Sequence, residues 1–188
     1  MKIKALASLC KQTKGIHLYE EGNDVQWIGD GYAMYPLYNM PILNKQNIFT
    51  IFDVPDSKRN DYTFREAAMP EGYSFSDIDD CERMLDHEGI FITRMGVTLQ
   101  PLRTSQGIVF IDTDYLKPVA DIKDTIELYE RLTKSGRPYI AIKNGMLLVG
   151  IVQINDVIDK RFVEQMETLT KQCMFAYENK LGEDDKKK

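Results

Sequence analysis

The sequence predicts an α+β fold, a duplicated unit of a short helix and three antiparallel strands with closing helices, and an acidic insert between the copies. Three observations predict it. Ile16-His17-Leu18-Tyr19-Glu20 recurs as Ile126-Glu127-Leu128-Tyr129-Glu130, at an offset of 110 that also brings Leu6 onto Leu116 and Leu9 onto Val119. At an offset of 114, Ile28-Gly29-Asp30-Gly31 falls on Ile142-Lys143-Asn144-Gly145, Met34 on Leu148, Leu37 on Ile151 and Ile48 on Phe162. Between the copies lies a stretch with no counterpart, 55–105, rich in acids.

Each copy opens on a short helix. Leu6, Leu9 and Cys10 share one face in the first, while in the second Pro118, which lacks an N–H, keeps the helix short. A strand follows, Ile16 to Glu20 or Ile126 to Arg131, and then two strands meet at Asp30-Gly31 or Asn144-Gly145. Those dipeptides are the strongest short hairpin signals, since both central residues of a type I′ turn need positive φ. A helix closes each copy. The first has Asn44 as N-cap with Ile48, Ile51 and Phe52 inward; the second carries Ile158, Phe162, Met166, Leu169, Cys173 and Tyr177 as an apolar stripe of period near 3.6. The expected boundaries are 1–54 for the first repeat, 55–105 for the insert and 106–181 for the second repeat with its closing helix. A frayed polar tail, 182–188, completes one compact domain. Within the insert, the acid-rich part reads as a long loop; Tyr62 to Phe64, Phe91 to Thr93 and Val97 to Leu99 read as strands, as does Gly107 to Asp112 beyond it.

With 188 residues, 43% of them hydrophobic, the chain is long enough to bury a core and too apolar for disorder. No apolar run reaches a membrane-spanning length and the N-terminus lacks a secretory signal, so the expected compartment is the cytoplasm. Cys10, Cys81 and Cys173 are odd in number and far apart, which predicts reduced thiols. The net charge of −5 is uneven. From Glu71 to Glu88 seven acids face only Arg83, a local charge of −6 that leaves the remainder at +1. Such a balance excludes a general nucleic-acid coat, which needs clustered cations to displace counterions.

Catalytic and metal-binding patterns are absent. There is no P-loop, no G-x-G-x-x-G and no G-x-S-x-G. The two histidines, His17 on a strand and His87 in the acidic loop, form no dyad by spacing. Asp77, Asp79 and Asp80 lack the ligand order of a calcium loop, and the cysteines lack the pairing of a zinc site. The expectation is a non-enzyme with no cofactor and no metal.

The segments MKIKALASLCKQTKGIHLYEE with VQWIGDGYAMYPL, and VFIDTDYLKPVADIKDTIELYER with PYIAIKNGMLLVGIV, resemble the duplicated β-α-β-β-β unit that makes up one domain of the DNA sliding clamps. The whole chain also resembles a family of small proteins carried by prophages of Firmicutes. The resemblance implies that the two short helices would face DNA. Here Lys4, Lys11 and Lys14 of the first copy meet Asp114, Asp121 and Asp124 of the second, so the charge inverts at all three positions. Either these charges pair within one chain, or the lysine face of one molecule meets the aspartate face of another in a dimer. The function expected is a non-catalytic, clamp-like accessory protein of a phage or mobile element that contacts DNA-processing machinery. The alternative is a phage-encoded inhibitor of a Cas9-type nuclease, an anti-CRISPR whose Asp77, Asp79, Asp80, Glu82, Asp86 and Glu88 mimic DNA phosphates. A third reading is direct, salt-sensitive DNA binding through Lys2, Lys4, Lys11 and Lys14. Trp27, Tyr35 and Tyr38 are candidates for an apolar partner groove, or for core.

Overall fold

The computed structural model describes residues 1–21, 25–86 and 89–185, with 21, 121–124 and 181–185 described by their backbone alone. They fall into two units, Met1–Asn155 and Asp156–Lys188. The first holds helix α1 (Ile3–Thr13), strands β1 (Gly15–Glu21), β2 (Val25–Gly29) and β3 (Ala33–Pro36), helix α2 (Lys45–Ile51) and a 3-10 turn over Asp56–Asp61. It continues through β4 (Thr63–Ala68), β5 (Arg83–Met84), β6 (Ile92–Arg94), β7 (Val97–Thr104), β8 (Gly107–Asp112), a 3-10 segment over Thr113–Thr125, and β9 (Ile126–Leu132), β10 (Pro138–Asn144) and β11 (Leu147–Gln153). Helix α3 (Lys160–Asp185) lies in the second unit. The protein is thus α+β, with mixed sheets and few helices.

One sheet has eight strands in the order β4-β1-β2-β3-β11-β10-β9-β5, and the other three, β6-β7-β8. All neighbours are antiparallel except β1 and β4. Two three-strand meanders therefore sit side by side, joined where Met34 and Ala33 pair with Ile151 and Val152. Leu18 pairs with Ile28 in one meander and Leu128 with Ile142 in the other, which are the offsets 110 and 114. The third strands depart from this. Ile28 faces Tyr35, but Ile142 faces Gly150, because the β10/β11 register shifts past Ile142. Met34 still corresponds to Leu148, but Val149 is an extra, bulged residue, so that Tyr35 corresponds to Gly150 and Pro36, rather than Leu37, to Ile151; a one-residue bulge moves every later side chain to the opposite face.

Both faces of the large sheet are covered, which is why β10 is buried at five successive positions instead of alternating. On one face Ile16, Leu18, Ile28, Tyr35, Leu128, Ile140 and Ile142 form a core with Leu6, Leu9 and Cys10 of α1, Val119 of the 3-10 segment and Leu102, Val109 and Ile111 of the small sheet. On the other, Trp27, Met34, Tyr139, Ala141, Leu148 and Ile151 pack beneath Met69, Tyr73 and Phe75 of the insert.

The insert reaches that face by necessity. Its strands β4 and β5 form opposite edges of the sheet. Seven inter-strand spacings of about 4.8 Å separate those edges by about 34 Å. The chain from Ala68 to Arg83 could cover only about 22 Å as a helix but about 50 Å extended. It must cross the sheet as extended, irregular chain, which is what its Pro and Gly content signals.

Several local expectations need correction. Both hairpin turns are centred one residue later than Asp30-Gly31 and Asn144-Gly145. The Asp30 N–H donates to the Ala33 carbonyl at 3.3 Å and Asn144 pairs with Leu147, so Gly31-Tyr32 and Gly145-Met146 are the central residues. Only the glycines have positive φ, +100° and +58°, as a turn with Gly at its first central position requires. Asp30, placed before the turn, caps it with its side chain instead. The second copy's helix is a 3-10 segment with Pro118 inside. In α2, Asn44 caps as expected, its side chain accepting from the Asn47 N–H at 3.0 Å, but Phe49 points inward and Ile51 is 41% exposed. Helix α3, expected within the second repeat, belongs to its own unit and runs through Gly182 to Asp185, where a tail was expected; a lone glycine costs only about 1 kcal/mol there. Its stripe is not buried: Ile158, Leu169 and Tyr177 are 46%, 52% and 64% exposed, and Cys173 is exposed too.

Candidate functional site

The acidic stretch is organised around one cation. Arg131, at the inner end of β9, is 1% exposed. Its Nε and Nη2 donate to Glu82 Oε2 at 2.9 and 2.5 Å, and its Nη1 and Nη2 donate to the carbonyls of Ser74, Ser76 and Asp77 at 3.2, 2.9 and 3.3 Å. The other oxygen of Glu82 accepts from Lys143 Nζ at 2.5 Å, and that ammonium lies 4.8 Å from the centre of the Tyr129 ring. Burying such charges is tolerable only because they are paired and the guanidinium of Arg131 makes five hydrogen bonds. Among the described residues, no buried side-chain nitrogen or oxygen lacks a partner.

The rest of the segment is pinned in the same way. Asp77 Oδ1 accepts from the Leu148 N–H at 2.8 Å, the Ser74 N–H donates to the Tyr139 hydroxyl at 2.9 Å, and Phe75 packs edge-on against Trp27 with centroids 5.1 Å apart. Asp79 Oδ1 accepts from the Cys81 N–H at 3.0 Å. Burial alone would raise the Asp79 carboxyl, but that hydrogen bond, the Ser74 side chain and Arg131 together hold it below the usual range.

Of the six acids proposed to contact a partner, Glu82 is therefore turned inward between two cations, and Asp77 is exposed but committed to a backbone N–H. Asp79 is half-buried, Asp80 and Asp86 are exposed, and Glu88 lies outside the described residues, as does His87. Neither Arg131 nor Lys143 was a candidate from sequence. The signal was the comparison between copies, where they replace Glu21 and Gly29.

A second polar cluster ties the first meander to the 3-10 segment. Asp30, 6% exposed, accepts from the N–H groups of Tyr32 and Ala33 at 2.9 and 3.0 Å and from the Tyr115 hydroxyl at 3.0 Å. The Tyr35 hydroxyl donates to the Tyr115 carbonyl at 2.5 Å. Burial, reinforced by Asp30, pushes both phenols and the Cys10 thiol well above their ordinary values, so all three stay neutral. Beside them, His17 meets Tyr19 at 3.0 Å; burial, and then Arg65, lower the imidazole, against an opposing pull from Asp30.

Helix α1 and the 3-10 segment are adjacent, joined by the Lys2 N–H donating to the Pro118 carbonyl at 2.6 Å. Lys4, Lys11 and Lys14 are exposed, and Lys11 reaches the Asp53 carbonyl at 3.3 Å. Asp114 pairs with Lys117 of its own segment at 2.7 Å, and the side chains of Asp121 and Asp124 lie outside the described residues. Of the aromatic candidates, Trp27 and Tyr35 are core. Tyr38 is 37% exposed and lines an apolar groove of about 330 Å³ with Met1, Ile3, Met40, Val119 and Val149, where the two meanders meet.

Among the described residues, no group of three His, Cys, Asp or Glu side chains is placed to hold a metal ion, and no helix is long and apolar enough to cross a membrane. No family model, curated protein or solved structure matches the chain.

Proposed function

We propose that the chain is a duplicated, clamp-like module that acts without catalysis, as an accessory protein of a phage or mobile element binding DNA-processing machinery through protein contacts. One observation carries this reading. The strand order β1-β2-β3-β11-β10-β9 sets two helix-plus-three-strand units side by side, with equivalent pairs Leu18–Ile28 and Leu128–Ile142. The contact surface we assign is the groove around Tyr38 and Met40 at the junction of the two units. Its occupant is an apolar peptide segment of a DNA-processing enzyme.

A second reading, the acidic DNA-mimicking inhibitor, is favoured by the exposure of Asp80 and Asp86, but it loses Glu82 to the interior. A photoreactive residue placed in turn at Tyr38 and at Asp80 separates the two. The accessory reading expects a polymerase, recombinase or other DNA-processing protein cross-linked from position 38. A nuclease captured only from position 80, or no partner from position 38, counts against it.

A further inference from the structure

The small sheet ends on an open edge. Among the described residues β6 pairs with β7 alone, as Ile92–Leu99, Thr93–Thr98 and Arg94–Val97. The turn between them is Met95-Gly96, both at positive φ, +52° and +83°. In such a two-residue hairpin the flanking pair, Arg94–Val97, exchanges both of its backbone hydrogen bonds, and the next pair, Thr93–Thr98, exchanges none. The N–H and C=O of Thr93 therefore point away from β7, along the open edge. Ile90, Phe91 and Met95 flank that point and are exposed, Met95 to 96%. Its positive φ is ordinary for Asn or Gly and uncommon for a methionine. A bulky apolar residue is thus held in water and in a strained turn, at an edge whose stretch 90–96 has no Lys or Pro to blunt it.

We propose that β6 pairs antiparallel with β6 of a second copy of this chain, about a two-fold axis at Thr93, joining two three-stranded sheets edge to edge. The axis sets Thr93 opposite Thr93 of the second copy, Ile92 opposite its Arg94 and Phe91 opposite its Met95. Backbone geometry selects this centre. Thr93 meets its copy with both outward groups, which makes two hydrogen bonds, whereas an axis at Ile92 or Arg94 would need groups already bonded to β7. The side chains select the same centre. Phe91 and Met95 stand two residues either side of Thr93, so each ring meets a methionine of the other copy at both ends of the ladder, a favourable sulfur–aromatic contact. Threonines opposite one another add to the pairing, and no like charges fall opposite. Exposed apolar residues placed symmetrically about one position suit a self-pairing edge, and a foreign peptide would not require that symmetry. The longer edge, β4, differs: a two-fold at its middle would set Arg65 on Arg65 or Glu66 on Glu66, which repel. The inference is independent of the accessory function proposed above.

The test uses the full chain with Cys81→Ser and Cys173→Ser, which leaves Cys10 as a buried, neutral thiol. Thr93→Cys or Met95→Cys is then added. A hydrogen-bonded antiparallel pair sets its Cα atoms about 5.5 Å apart, within the roughly 7 Å that a disulfide can span. The two copies of position 95 would be separated by about 14 Å along the strands, beyond that reach. Under mild oxidation the Thr93→Cys chain should run as a covalent dimer and the Met95→Cys chain as a monomer, although Met95 is almost wholly exposed. Bridging at 95 as readily as at 93 indicates random collision and overturns the proposal, as does the absence of a bridge at 93. A ladder this short falls below the roughly 800 Å² per partner of a standard interface, so the non-covalent check uses concentrated protein. There the parent should sediment as a dimer, and Phe91→Asp, with its fold checked by circular dichroism, as a monomer. A monomeric parent, or a Phe91→Asp dimer, contradicts the pairing.

Discussion

Arg131 and Glu82 stand 49 residues apart in the chain and meet through two hydrogen bonds, fixing the acidic segment over the face of the large sheet. The other carboxylate oxygen accepts from Lys143, so that one buried carboxylate is shared by two cations. Removing one member of a buried ion group leaves the remaining charges without compensation. Glu82→Ala should therefore cost about 3–5 kcal/mol in denaturant unfolding. Asp80→Ala, at an exposed position of the same segment, should stay within about 0.5 kcal/mol of the parent. Equal effects for the two would contradict the inward placement of Glu82.

The three cysteines should differ in reactivity. Cys10 is buried against the Gly29 carbonyl and its thiol is held neutral, whereas Cys81 and Cys173 are exposed. Only the thiolate attacks an alkylating reagent. Titration with a thiol reagent under native conditions should modify Cys81 and Cys173 rapidly, and Cys10 only after unfolding. Labelling of all three at one rate would place Cys10 elsewhere.

His17 predicts a direction for stability against pH. Its folded pKa is lowered from 6.5, so as pH falls below that value the unfolded chain takes up a proton before the folded one. Stability contributed by the neutral imidazole is present above about pH 6.5 and lost as pH falls toward the folded pKa. Unfolding curves for the parent and His17→Gln should diverge in pH dependence across that window and run parallel above it. Parallel curves throughout would remove the effect.

The cap at α2 offers a smaller check. Asn44 accepts from the Asn47 N–H, and the Asn47 side chain accepts from the Asn44 N–H at 3.3 Å. Asn44→Ala should lower stability by about 1 kcal/mol, read as a shift in denaturant midpoint without a change in slope.

The strands of both meanders were legible because local signals agreed: alternating apolar residues, a glycine in each turn and the repeat itself. The GIVFID run marked β8 for the same reason. The sequence could not show that the insert supplies both edges of the large sheet, since β4 and β5 are short, exposed and paired only with distant strands. Nor could charge counting show which acids face inward. Glu82 and Asp80 are alike in type and neighbourhood, and only the crossing of the sheet sets Glu82 over Arg131. The α3 stripe was visible in its period, but periodicity marks an apolar face without saying what covers it.

The central claim, that partners are held by an apolar groove rather than by an acidic surface, is tested most directly by the affinity of the purified chain for the protein cross-linked from position 38, measured across salt concentration. The account predicts affinity nearly unchanged between about 50 and 200 mM salt and lost in Met40→Asp. A fall approaching the roughly thousandfold loss of contacts that replace phosphates over that range, abolished by neutralising Asp80 and Asp86, would contradict it.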